Sequence, residues 1–214
     1  MNKKETALQA VELLKKEYPD AICSLQYEKP HELLIATRLA AQCTDARVNI
    51  VCKDLFAKYR SVEEFAQADL IDIENIIKSC GLYKTKAKDI LAMCQMINQA
   101  FHGELPDTIE KLTRLPGVGR KTANLIVGDI FHKPAIVVDT HCIRITNLLG
   151  LSEGKNAVKI EKQLGELIPP EESNDFCHRL VLHGRAVCVA RRPACERCIL
   201  NICCNHYLTS HDKQ

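Results

Sequence analysis

The sequence has no apolar run approaching the eighteen or so residues that a membrane span needs. Its start, Met-Asn-Lys-Lys-Glu-Thr, leads at once into an amphipathic pattern with charges throughout, which is unlike a secretory signal. These two absences argue against an integral membrane protein and against a secreted one. We therefore expect a soluble, intracellular protein with no targeting segment.

The chain also lacks any stretch that alternates polar and apolar residues with the period of a strand. It has no internal repeat and no low-complexity linker, so the fold class predicted is all-α. The apolar spacing predicts helices over residues 3–17, 30–42, 45–59, 70–79, 84–101, 120–131, 140–149, 156–167 and 174–187. Ser61 with Glu64 and Asp107 with Glu110 have capping-box spacing, and Asp139 is expected to cap the helix that follows it.

A strong excess of one charge is also missing, since the net charge is only +2. The distribution of charge says more than its sum. Residues 111–121 hold four cations and no acid, and residues 179–197 hold five arginines against Glu196 alone. Such runs are often solvated helix faces. Because both adjoin candidate sites, we interpret them as phosphate contacts.

The most informative segment is Leu115-Pro-Gly-Val-Gly-Arg-Lys-Thr-Ala-Asn124. A glycine-rich turn before a helix points successive N–H groups outward, and the helix dipole adds positive potential, so the turn suits a phosphate. The sequence thus predicts a loop that grips a DNA backbone and presents Lys121 to the sugar as a nucleophile. The residues expected at the backbone are Gly117, Val118, Gly119 and Arg120.

A second pattern is Cys188-x6-Cys195-x2-Cys198-x5-Cys204. Four thiolates within seventeen residues can build a tetrahedral sulfur site, and the spacing admits either zinc or an iron–sulfur cluster. The first eight cysteines, from Cys23 to Cys188, are scattered through helical patterns, and most of them are expected to be small core residues in a reducing compartment.

The motifs LPGVGRKTAN and VDTH, together with the cysteine series, resemble the helix-hairpin-helix DNA glycosylases, specifically the endonuclease III type. The similarity runs over nearly the whole chain and includes Ala41-Gln-Cys-Thr-Asp45 and Gly81-Leu-Tyr-Lys-Thr-Lys86. The resemblance implies two helical domains with a cleft between them, formed by residues 22–133 and by 1–21 with 134–214. It also implies a hairpin at about 108–131 and a [4Fe–4S] cluster in the loop 188–204.

The same resemblance implies a bifunctional glycosylase and abasic-site lyase that removes oxidised pyrimidines from duplex DNA. Lys121 would attack C1′ of the damaged nucleotide, Asp139 would assist departure of the base, and the resulting imine would permit β-elimination. Desolvation and the helix N-terminus would lower the pKa of Lys121 while a nearby carboxylate would raise it, and the sequence leaves the balance open. For Asp139 a purely structural cap is the alternative.

By resemblance, Gln42 and Leu82 fill the gap that an extruded nucleotide leaves, although Leu82 could equally be a packing contact after a helix. Lys84 and Lys86 beside it favour a loop that faces DNA, and Arg191 and Arg192 are expected to face phosphates. The protein is expected to be a monomer associated with the nucleoid of a prokaryote.

Three alternatives remain open at this point. One is a non-catalytic DNA-binding module that uses the turn only for backbone contact. Another is a redox or metal protein in which the cysteines are the working site. The third is a mismatch-specific glycosylase without lyase activity, although such relatives lack lysine at the position that matches Lys121.

Overall fold

The computed structural model describes residues 2–211, and within that range it contains helices and no strand, which confirms the all-α class. The helices are α1 Lys3–Glu17, α2 Pro30–Leu39, α3 Asp45–Lys58, α4 Val62–Ala66, α5 Leu70–Ile77, α6 Tyr83–Ala100, α7 Ile109–Leu112, α8 Arg120–Asp129, α9 Thr140–Leu149, α10 Ala157–Gly165, α11 Ser173–Ala186 and α12 Asn205–His211. Single 3-10 turns cover Lys78–Cys80, Pro170–Glu172, Cys195–Arg197 and Asn201–Cys203. None of the helices in the described range is long and apolar enough to cross a bilayer.

The chain divides into two compact units, one of Cys23–Phe131 and one of Met1–Ile22 with His132–Gln214. In the first, α6 packs against α2, α4 and α5, and α8 packs on α2. Its core is aliphatic with one large aromatic ring at the centre, Phe65, which is fully buried. The hairpin of α7 and α8 is part of this unit.

The second unit brings the N-terminal helix against the C-terminal part of the chain. Helix α11 packs on both α1 and α9, and α12 packs on α9. The contacts bury Leu14 from α1 and Phe176 and Leu180 from α11 completely. The loop with the four spaced cysteines therefore follows directly from a helix that is fixed on two sides.

One predicted helix start was wrong by a single residue. Helix α7 is capped by Thr108, whose side chain accepts the N–H of Lys111 at 3.4 Å, and not by Asp107. Aspartate and threonine are both good N-caps, and the capping-box spacing to Glu110 favoured Asp107, but the backbone enters the helix at Thr108. The caps predicted at Ser61 and Asp139 are present.

Candidate active site and cysteine-lined cavity

The turn between α7 and α8 is built by Leu115, Pro116, Gly117 and Val118. The N–H of Val118 donates to the carbonyl of Leu115 at 3.1 Å, and Gly117 has φ of +74°. Proline at the second position and a positive φ at the third are the requirements of a type II turn. Leu115 and Val118 are buried and anchor the turn, so Gly117 and the residues after Val118 are presented at the surface.

Gly117 is required for space as well as for backbone conformation. A Cβ there would lie 2.8 Å from Nε of Arg38 and 2.9 Å from Cβ of Asp89. These two side chains form an ion pair, with Arg38 Nε donating to Asp89 at 2.8 Å. The ion pair thus packs directly against Gly117 and connects the turn to α2 and α6.

We expect Gly117→Ala to lower the free energy of unfolding by about 2–4 kcal/mol, since it combines a left-handed backbone with a steric clash. Gly119→Ala is the matched control, because φ is −92° and nothing lies within 4 Å of an added Cβ. It should cost less than about 1 kcal/mol, the difference between a glycine and an alanine cap. Urea unfolding measures the free energy of unfolding of both variants. Equal decreases in the two would refute the role assigned to the Arg38–Asp89 ion pair that packs against Gly117.

Helix α8 begins at the end of this turn, with Gly119 as its N-cap. Glycine has no side chain to accept from the N–H groups of the first helical turn, so this end of the helix suits an external anion. Arg120 and Lys121 are both exposed in that first turn. The predicted turn and the predicted nucleophile therefore lie together on one surface of their unit.

Asp139 caps α9 in the other unit. Its Oδ1 accepts the N–H of Cys142 at 2.7 Å, and the side chain is half-buried. A carboxylate has two oxygens that accept hydrogen bonds, and the cap occupies only one of them. The carboxylate is thus held in place at the start of α9.

Gln42 and Leu82 share an unusual backbone conformation. Among the described residues only four other than glycine have positive φ, and these two are among them, at +57° and +48°. Left-handed backbone costs a non-glycine residue about 1–2 kcal/mol, and such strain is concentrated at functional positions. Both residues are exposed, Leu82 by 58%, and Lys84 is exposed two residues further on.

The interpretation of Lys86 as a residue that faces DNA was wrong. Its side chain is fully buried, and its ammonium group donates to the carbonyls of Leu39 and Cys80, each at 2.8 Å. Burial lowers the pKa of Lys86. The sequence suggested a surface lysine because lysine is almost never buried without partners. Here two carbonyls at helix ends provide those partners.

The cysteine loop surrounds a cavity of about 260 Å³ within its own unit. All four predicted ligands line it, namely Cys188, Cys195, Cys198 and Cys204. Cys203 does not; it is buried, with its thiol 3.5 Å from the carbonyl of Leu200. The structure therefore separates two adjacent cysteines that sequence spacing alone could not distinguish.

The size and chemistry of this cavity fit a group of several atoms held by sulfur. A water molecule occupies a volume of roughly 30 Å³ in the liquid. The volume of the cavity is therefore larger than a single ion would fill. In residues 2–211 no three His, Cys, Asp or Glu side chains meet closely enough to ligate one ion. Burial raises the pKa of Cys198 to about 11, and the nearby thiols of Cys188, Cys195 and Cys204 contribute to the rise.

Two polar side chains that contact these cysteines, Arg144 and His183, were not predicted from the sequence. Arg144 donates to the carbonyl of Cys188 at 2.7 Å, and Nε2 of His183 lies 3.3 Å from Sγ of Cys198. His183 is fully buried, which lowers its pKa to about 4, and its Nδ1 lies 3.2 Å from the hydroxyl of Tyr18. No local motif links His183 with Cys198, since only the path of the loop brings them together.

Comparisons with known proteins agree with this geometry. A family model described as HhH-GPD superfamily base excision DNA repair protein matches residues 35–170. The endonuclease III of Synechocystis sp. is 44% identical, over 95% of this chain and 93% of its own length. That of Bacillus subtilis is also 44% identical, over 87% and 86%.

Among solved structures, a trapped endonuclease III–DNA covalent intermediate and a non-covalent endonuclease III–DNA complex each match with a TM-score of 0.90 at 40% identity. Each match covers 99% of this chain and 100% of the other. Family, curated relatives and structures thus converge on one group. The chain belongs to the endonuclease III family of helix-hairpin-helix base excision DNA repair proteins.

Proposed function

We propose that this protein is a bifunctional DNA glycosylase and abasic-site lyase that removes oxidised pyrimidines from duplex DNA. The observation that carries the proposal is the exposed Lys121 in the first turn of α8, directly after a turn built to receive a phosphate. A relative with 40% identity was captured as a covalent intermediate with DNA. That capture supports a nucleophilic amine in this chain too.

In the proposed mechanism the neutral amine of Lys121 attacks C1′, and the bond from C1′ to the base breaks with its electron pair leaving on the base. The nitrogen then gives up one proton to solvent, and the C1′–O4′ bond breaks as O4′ takes up a proton. C1′ is left joined to the lysine nitrogen as a protonated imine. Loss of a proton from C2′ expels the 3′ phosphate by β-elimination. Gly117, Gly119 and Arg120 would hold the backbone phosphate while this happens. Val118, whose N–H is bonded to the Leu115 carbonyl and whose side chain is buried, supports the turn instead of making the phosphate contact predicted for it.

Asp139 is proposed to act through its charge. Positive charge develops on the sugar as the base departs, because the transition state resembles an oxocarbenium ion. A carboxylate fixed by the Cys142 N–H needs little reorganisation to stabilise that charge. The helix cap therefore serves the reaction as well as the fold.

The target nucleotide must leave the stack before Lys121 can reach C1′, at a cost of a few kcal/mol. Gln42 and Leu82 are proposed to fill the vacated space, and Lys84 to contact the backbone beside them. Their exposure and constrained backbone support this role, since a wedge must be both accessible and held in place.

We propose that the cysteine-lined cavity holds a [4Fe–4S] cluster, with Cys188, Cys195, Cys198 and Cys204 as ligands. When bound, the cluster would cross-link the loop 188–204. That cross-link would fix the exposed Arg191 and Arg192 for contact with phosphates. Arg144 would orient the loop through the carbonyl of Cys188, and the neutral imidazole of His183 would donate to Sγ of Cys198.

Cys204→Ser should remove most of the iron and the visible absorption of the purified protein, since oxygen is a poorer ligand for such clusters. Cys203→Ser is the matched control next to it and should retain both, because its thiol does not line the cavity. Iron and sulfide analysis with visible spectroscopy makes the comparison. Loss of the cluster from Cys203→Ser alone would reverse the ligand assignment.

The whole proposal is tested with duplexes that carry one defined lesion each, by measuring base release and strand cleavage separately. Release of an oxidised pyrimidine together with a nick supports it. Base release without a nick would favour the mismatch-specific alternative, and tight, salt-dependent binding without release would favour a binding module.

As the curated relatives are bacterial, we propose that this protein works as a monomer at the nucleoid, in the cytoplasm.

A further inference from the structure

Lys86 lies between the two loops that carry Gln42 and Leu82. Its ammonium group donates hydrogen bonds to two backbone carbonyls, that of Leu39 at the end of α2 and that of Cys80 at the end of a 3-10 turn. Carbonyls at a helix end lack an intrahelical partner, and a cation there also suits the helix dipole. One buried side chain thus provides the hydrogen-bond donor for the last carbonyl of two helical segments.

Each of these helix ends lies just before one of the exposed residues. Leu39 precedes Gln42 by three positions, and Cys80 precedes Leu82 by two. The backbone N–H of Lys86 also donates to the carbonyl of Leu82 itself, at 3.0 Å. The same residue therefore holds both strained segments, one through its side chain and the other through side chain and backbone.

A second contact shows that the two loops adjoin each other. Burial raises the pKa of Cys80 to about 11, and the thiol of Cys43 lies near enough to contribute to the rise. Cys43 is next to Gln42 in the sequence. The loops are thus linked at two points, of which only the Lys86 ammonium is both charged and fully buried.

We propose that Lys86 is a positioning residue that holds Gln42 and Leu82 in a fixed relation, so that both can occupy the space of an extruded nucleotide. This inference rests on the proposed function. Segments that are held in place before binding lose less entropy when they insert into DNA. The contribution of Lys86 should then be largest where extrusion must work against intact base pairing.

The test compares Lys86→Met with Lys88→Met, an exposed lysine on the same helix, using purified full-length protein. One substrate is a duplex with a paired oxidised pyrimidine, and the other is the same duplex with an abasic site, which has no base to unpair. We expect Lys86→Met to slow base release at least about tenfold but to slow nicking of the abasic site less than about threefold. A fluorescent purine analogue opposite the lesion should also brighten less upon binding.

Lys88→Met should behave as the natural protein in all three measurements. If the natural protein itself releases no base, the proposed function fails and not this inference alone. If it is active and Lys86→Met slows both reactions equally, or neither, the positioning role is overturned. Should Lys86→Met fail to fold, Lys86→Gln, which can reach at most one carbonyl, takes its place. It must then show the same difference, a large decrease in base release and a small decrease in nicking of the abasic site. If neither variant folds, Lys86 has only a structural role and the proposal is wrong.

Discussion

Replacement of Lys121 by glutamine is expected to abolish the covalent adduct that borohydride traps between this protein and abasic DNA. Loss of a nucleophile removes the reaction path itself, and such losses lower turnover by about 10⁴-fold or more. Because Lys121 is exposed on the first turn of α8, the substitution should leave the free energy of unfolding nearly unchanged. Gel analysis of trapped adducts and of strand cleavage on the same duplex measures the effect.

Lys121→Arg distinguishes the nucleophile from a phosphate contact at the same position. Arginine keeps the positive charge, but its guanidinium stays protonated and cannot attack a carbon. Duplex affinity should therefore stay near the natural value while the adduct is absent. An undiminished adduct in Lys121→Gln would assign the nucleophile to another amine. Loss of binding with retained chemistry in Lys121→Arg would reduce Lys121 to a backbone contact.

The second large effect is expected at Asp139, where two substitutions separate charge from capping. Asparagine and aspartate are similarly good N-caps, so Asp139→Asn should keep the bond to the Cys142 N–H and the stability of α9. It removes the negative charge, and we expect base release to slow by about 10²–10³-fold. Single-turnover base release and thermal unfolding provide the two readouts.

Asp139→Ala removes the charge and the cap together. It should match the asparagine variant in base release and also lose about 1 kcal/mol of stability, or about 2–4 °C in melting temperature for a chain of this size. If Asp139→Asn releases bases at the natural rate, the carboxylate is only a cap. If it is as unstable as Asp139→Ala, the two roles of the residue are not separable in this way.

Local patterns were sufficient for most of the helices and for the turn before Lys121, although they extended α2 to Gln42, where the backbone is left-handed, and missed α12. Helical periodicity, glycine at a positive φ and proline before it act through neighbours a few residues away, and these are visible in the chain order. The same patterns misassigned the cap of α7 by one residue, since the spacing to Glu110 favoured Asp107 over Thr108. They also placed Lys86 at the surface, because its partners lie 6 and 47 positions away.

What the sequence by itself determined is the all-helical class, the glycine-containing turn directly before Lys121, and the spacing of four cysteines near the C-terminus. Each of these depends on residue type and short-range spacing. Only the tertiary structure decided that Cys204 and not Cys203 lines the cavity, that Arg144 and His183 stand beside the sulfurs, and that Lys86 holds two loops together. Those contacts join segments far apart in the chain, and close packing of the folded helices, which no local pattern encodes, sets which of them meet.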